Sequence, residues 1–229
     1  KPIRNPSNTT PSVMSQYSKF FNFHLLGKRD IQDWLQATQN TEYKQQIENY
    51  LNNTGFILGA GTVEEQNKEK YEFAEEASIA LMKGGKVDFF RKIIYLIDKP
   101  CQNQILQDII STNSPFTNLI SDIFGNSNVA DIRFTNDDLL NENAAAVTSP
   151  QFYGTSENYI ISIKFDNDYL DNATNLSIAA TTLHELVHAH LMYLFLNDQL
   201  IAQNSSYQSL MDAFLNFYKD RNEMTFNEL

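Results

Sequence analysis

Between Asn175 and Leu196 the only charged side chain is Glu185, in a run of otherwise apolar and small polar residues. Ile178, Leu183, Leu186, Val187, Leu191 and Leu194 spread nearly all the way round a helix, and a helix apolar on all sides belongs inside a protein rather than on its surface. The spacing predicts a helix over Asn175 to Leu196, started by the capping residues Thr174 and Asn175 and stopped at Asn197-Asp198. The rest of the chain has to supply layers that cover it.

From Phe20 to Phe124 apolar residues recur at helical spacing, broken at short intervals, which predicts a small helical array. Helices are expected near Ile31 to Ala37, near Tyr43 to Leu51, and around Phe73, Ala77, Ala80 and Leu81 with a stop at Gly84-Gly85. A fourth is expected across Phe89, Phe90, Ile93, Ile94 and Ile97, ended at Lys99-Pro100. A fifth covers Ile105 to Ile110 and a sixth Phe116 to Phe124, parted by Asn113-Ser114-Pro115. Each stripe reads as core. After Gly125 the pattern becomes strand-like at Ile132 to Thr135, Ala146 to Thr148 and Tyr159 to Phe165. In the last run, apolar residues alternate with Ser162 and Lys164, the mark of a half-buried strand. That strand is expected to form the sheet edge along which an extended peptide could lie. A final helix is expected from about Ser206 to Lys219.

The chain has 229 residues, 42% of them hydrophobic, and a net charge of −11. This is a globular composition, long enough to bury a core without disulfides or metal. The acidic balance and scattered Lys and Arg argue against nucleic acid or an anionic membrane as partner. No apolar run approaches the length of a membrane span. The single cysteine, Cys101, rules out an internal disulfide, a cysteine zinc cage and a CxxC redox pair. The polar stretch Lys1 to Val13 reads as a tail behind a processed start, so an extracytoplasmic, secreted or surface-attached protein is expected.

Within the long predicted helix stands His184-Glu185-Leu186-Val187-His188, the pattern HExxH. Histidines at i and i+4 share a helix face, so both rings can turn a nitrogen to one Zn²⁺ at about 2.0–2.1 Å, while the adjacent Glu185 can act as base toward a water held there. With 4 histidines and 13 glutamates in the chain, about 0.004 chance matches to that pattern are expected. The bland alternative is two packing histidines and a hydrogen-bonded carboxylate. Burying three such groups in an apolar helix needs compensation, and a metal supplies it.

The segment Asn172 to Ala179 leading into His184-Glu185-Leu186-Val187-His188-Ala189-His190 resembles the zincin metallopeptidases, most of all the SprT-like HExxH proteins of Bacteroidetes-type bacteria. Phe73-Ala74-Glu75-Glu76-Ala77, Gly84 to Phe89, and Lys99-Pro100-Cys101 are similar to the same group. The resemblance spans about Tyr71 to Leu196 and implies a zincin fold and zinc chemistry, with His184 and His188 as ligands and Glu185 as general base. The chain departs from that group's pattern at the third ligand. Leu191 and Leu194 stand where a metzincin needs Gly and His or Asp, and no histidine follows His190. Asp198, Asp212, Asp220, Glu223 and Glu228 are the open candidates, Asp212 and Glu223 the leading two, with a ligand beyond Leu229 as the remaining option.

His190 lies about 200° round the helix from His188 and points away from such a metal, so it reads as a supporting histidine. His24, among Phe20, Phe21 and Phe23, reads as packing, and Cys101 as a small buried hydrophobe at a helix start. Gly59-Ala60-Gly61 lacks the spacing of a phosphate loop.

The fold expected is α+β: a polar tail over 1–17, a helical N-terminal region over 18–99, and a small zincin-like domain over 100–229 with a short mixed sheet and the HExxH helix. The function expected is zinc-dependent hydrolysis of peptide bonds, with a peptide or protein as substrate. Two alternatives stand beside it: an inactive zincin-like binding module, and a secreted effector peptidase held by a cognate inhibitor protein.

Overall fold

The computed structural model describes residues 14–53, 63–127, 129–139, 144–153, 158–197 and 206–220. The stretch Lys1 to Val13, the Gly59-Ala60-Gly61 loop, and Asp198, Glu223 and Glu228 lie outside the described residues. The helices are α1 (Gln16–Lys19), followed by a π turn at Phe20–His24, then α2 (Arg29–Gln36), α3 (Thr41–Asn52), α4 (Val63–Met82), α5 (Pro100–Ser111), α6 (Pro115–Asn126), α7 (Asn167–Asn172), α8 (Asn175–Leu196) and α9 (Tyr207–Asp220). The strands are β1 (Lys86–Asp88), β2 (Ile93–Leu96), β3 (Ala130–Asp137), β4 (Ala146–Phe152) and β5 (Tyr159–Asp166). They form one mixed sheet in the order β1-β2-β3-β5-β4, in which β2, β3 and β5 run parallel and the outer two strands antiparallel. The described residues are thus mixed α and β around a five-stranded sheet, as the α+β expectation requires. No described helix is long and apolar enough to cross a membrane.

Alternation along the strands divides the core in two. Ile93, Tyr95, Ile132, Phe134, Ile161, Ile163 and Phe165 face one way and meet Leu106, Ile110, Ile120, Phe124, Ile178, Leu186 and Ala189 from α5, α6 and α8. Ile94 and Ile160 face the other way, onto Phe73, Ala74 and Ala77 of α4, behind which Phe20, Leu35, Ile47 and Leu51 complete a second cluster. Leu191 of α8 and Leu210 of α9 close a third, smaller one. Helix α8 is therefore walled by the sheet and by α5 and α9 along Ile178, Leu186, Ala189 and Leu191, while Leu176 and Leu183 on its remaining face stay exposed, so the apolar circumference is only partly covered.

Alpha-helix α4 meets the sheet partly through charge. Its Glu69, Glu72 and Glu76 recur at helical spacing and reach Lys92, Asn158 and Arg133 respectively. The helix ends in a Schellman turn: Gly84 N–H donates to Leu81 C=O at 3.1 Å and Gly85 N–H to Ala80 C=O at 2.9 Å, with Gly84 at φ +81°. A Cβ on Gly85 would lie 2.8 Å from the Tyr95 carbonyl oxygen, so this second glycine lets the turn pass against β2.

The structure replaces two expectations. The helix expected across Phe89 to Ile97 is instead a hairpin turn and strand β2, so the expected helical region contributes two strands to the sheet. Asp88 Oδ1 accepts from Phe90 N–H and Arg91 N–H, each at 3.0 Å, and Lys92 takes φ 52°, turning the chain back on itself. Ile93-Ile94-Tyr95 then enters the sheet beside β3, buried on both faces. Strand β5 is likewise neither half-buried over its length nor an edge. It pairs with β3 and β4, and Tyr159 to Ile163 are all buried, Ile160 in the cluster that holds Phe73, Ala74 and Ala77 of α4.

Candidate metal centre

Helix α8 starts at Thr174, whose hydroxyl accepts from Ser177 N–H at 3.1 Å, and runs unbroken through the motif to Leu196. One turn separates His184 from His188, and their Nε2 atoms lie 3.0 Å apart with ring centroids at 4.6 Å. His184 is exposed, His188 half-buried, and Glu185 only 5% exposed. The three side chains bring one ligand atom each within 4.8 Å of one another.

Glu185 turns toward the sheet. Thr148 Oγ1, on the outermost described strand β4, donates to Glu185 Oε2 at 2.6 Å. One turn before the motif, the Tyr169 hydroxyl from α7 meets Thr181 Oγ1 at 2.8 Å. Burial holds His188 below the ordinary imidazole range, helped by the neighbouring His184 and opposed by Glu185. At neutral pH His188 is therefore uncharged and presents a lone pair.

Two imidazole nitrogens 3.0 Å apart, with a carboxylate beside them, make a donor set that could hold a metal ion. The site residues expected from the sequence are therefore brought together. The third ligand is not: Asp212 is exposed on α9, where its Oδ1 accepts from Gln208 Nε2 at 2.8 Å, and it stands outside the His184, Glu185 and His188 group. His190 points away from the pair, buried at 8% exposure, its ring edge-on to Phe214 of α9 at 6.1 Å. Burial pushes it down to about 4, so it is neutral. His24 does more than pack. It stacks on Phe20 and its Nε2 lies 2.8 Å from Glu75 Oε2, which Lys28 also reaches. Cys101 sits at the start of α5 as expected but is exposed rather than buried, because the apolar face of that helix is carried by Leu106 and Ile110.

Thr148 is the residue that the sequence reading passed over. Its signal was positional: it lies in a strand-like run whose alternate residues face α8. The backbone of β4 adds a second property. Tyr153 N–H bonds to Asn158 C=O and Asp166 N–H to Ala145 C=O, both at 3.0 Å, which fixes the odd-numbered residues as those bonded to β5. Ala146, Thr148, Pro150 and Phe152 consequently turn their backbone groups outward from the described sheet. Pro150 offers a carbonyl without an N–H.

Compared with known proteins, the chain matches no protein-family model, and no curated protein or solved structure matches it either.

Proposed function

We propose that the chain is a zincin-type, zinc-dependent peptidase in which His184 and His188 hold the metal and Glu185 is the general base. The observation that carries this reading is the His184–His188 nitrogen pair at 3.0 Å with the Glu185 carboxylate in the same cluster. Bound zinc would supply Lewis-acid polarisation of the peptide carbonyl and acidify the attacking water. Glu185 takes the proton that water loses as its oxygen bonds to the carbonyl carbon, then passes it to the amine nitrogen as the C–N bond breaks. A peptide extended along β4 would find outward N–H and C=O groups at Thr148, beside the base.

The test is zinc content by elemental analysis together with turnover. Wild type is expected to hold about one zinc per chain and His188→Ala almost none. Glu185→Gln is expected to keep the metal and lose cleavage of fluorescein-labelled casein. A mutant that cleaves as fast as wild type removes Glu185 from the role. A second reading is a binding module that captures peptides on the same edge without cutting them. It is favoured by one observation: among the described residues no group other than Glu185, the base of the first reading, joins the two histidines. A chain that folds but takes up no zinc would put that reading ahead.

A further inference from the structure

Among the described residues four hydrophilic groups invite a role beyond the histidine pair: the buried Lys92 cluster, the His24–Glu75 pair, the aspartate-rich ends of β3 and β5, and the hydroxyl of Thr148. Only the last touches a residue with chemistry to perform. Resting on the peptidase reading above, we infer that Thr148 is a positioning residue for Glu185, and that it ties the placement of the base to the strand on which the substrate lies.

The carboxylate of Glu185 sits at the end of a side chain with three rotatable bonds, and burial alone does not choose between its rotamers. Thr148 Oγ1 chooses one by donating to Oε2 at 2.6 Å. That leaves the other carboxylate oxygen as the one that exchanges a proton. The donor is itself stiff. Thr148 is β-branched, and its strand is held on β5 by the flanking pairs Val147↔Lys164 and Ser149↔Ser162. The same residue turns its backbone N–H and C=O outward at the edge. One residue thus holds the base through its side chain while presenting a ladder pair through its main chain. The two functions separate chemically: removing the hydroxyl leaves the backbone pair in place.

Thr148→Val keeps the shape and the strand preference and removes the donor, while Thr148→Ser keeps the donor. With the zinc-loaded full chain and fluorescein-labelled casein, Thr148→Val is expected to lose about 10- to 100-fold in kcat. KM should stay within about twofold of wild type, because the edge is intact. Thr148→Ser should recover most of the rate, and zinc content should be equal in all three. A readout independent of turnover is the δ-carboxyl ¹³C resonance of Glu185 in zinc-free protein, identified by its disappearance in Glu185→Gln. It is expected to move in Thr148→Val and to return in Thr148→Ser. The inference is overturned by a wild-type rate in Thr148→Val, by a change carried in KM alone, by failure of Thr148→Ser to recover, or by an unmoved resonance. Failure of the peptidase reading looks different: wild type binds zinc yet leaves casein uncut, or Glu185→Gln cuts as well as wild type, and the role of Thr148 in catalysis then falls with it.

Discussion

The Lys92 ammonium lies 3.1 Å from the Asp131 carboxylate in the layer between α4 and the sheet, with 5% and 0% of the two side chains exposed. Glu69 of α4 pairs with the same ammonium, and the Tyr153 hydroxyl donates to Asp131 Oδ2 at 3.0 Å. Lys92 thus faces two buried acids, of which Asp131 keeps its proton up to about pH 8, and presents its ammonium from a left-handed backbone position, φ 52°. Lys92→Met removes the cation and leaves both acids without it. Breaking one side of a buried charge cluster costs about 3–5 kcal/mol, and chemical denaturation should show a loss of that order.

The same cluster sets a pH dependence. Burial pushes Asp131 up to about 8, against the pull of Lys92 and with the push of Glu69. The folded chain therefore keeps a proton that the unfolded chain gives up near the ordinary aspartate range. Stability from this group is complete below that range and is lost as pH rises to about 8. The denaturation midpoint should fall between pH 5 and 8, and Asp131→Asn, which cannot ionise, should flatten the fall. A midpoint that rises across that window in wild type alone would contradict the assignment.

His184 is exposed, so its side chain should matter to the metal and hardly to the fold. His184→Ala is expected to change the stability of zinc-free protein by no more than about 0.5 kcal/mol. Zinc at a hundred times its Kd stabilises a folded chain by about 2.7 kcal/mol, roughly 5–10 °C at this size. Differential scanning calorimetry should show that rise in wild type, its loss with a chelator, and its absence in His184→Ala.

His190 offers the contrasting case on the same helix. Its Nδ1 is buried with no hydrogen-bond partner among the described residues, and its ring meets Phe214. His190→Phe replaces an unsatisfied polar atom with an apolar one, which should be neutral or stabilising by up to about 1 kcal/mol. Zinc content should not change. A drop in bound zinc would make His190 part of the metal site after all.

The bounds of α8 and the placing of its two histidines and glutamate on adjoining faces were legible because they depend on local spacing and on Thr174 as a cap. The Schellman end of α4 was legible for the same reason, in Gly84-Gly85. What failed was anything set by a distant partner. Phe89 to Ile97 offers apolar residues at helical intervals, but Asp88 and Lys92 make a turn there. A short apolar run buried between two layers has no periodicity to separate strand from helix. That β5 is interior and β4 outermost depends on pairing with β3, a long crossover away. Thr148 is marked in the sequence only by its place in a strand-like run. Its importance arises only when the sheet brings β4 against α8.

Pro150 has a bearing on how copies of this protein meet. An outer strand with a full row of donors and acceptors is a template on which an identical strand can lie, and so on without end. Here the row is interrupted: outward from Pro150 there is an acceptor but no donor, two residues from Thr148. A second copy of β4 laid against the first cannot complete its ladder through that point. A short peptide centred on Thr148 need not cross it. The same missing hydrogen that would shorten the grip on any ligand also keeps the strand from growing into a shared sheet.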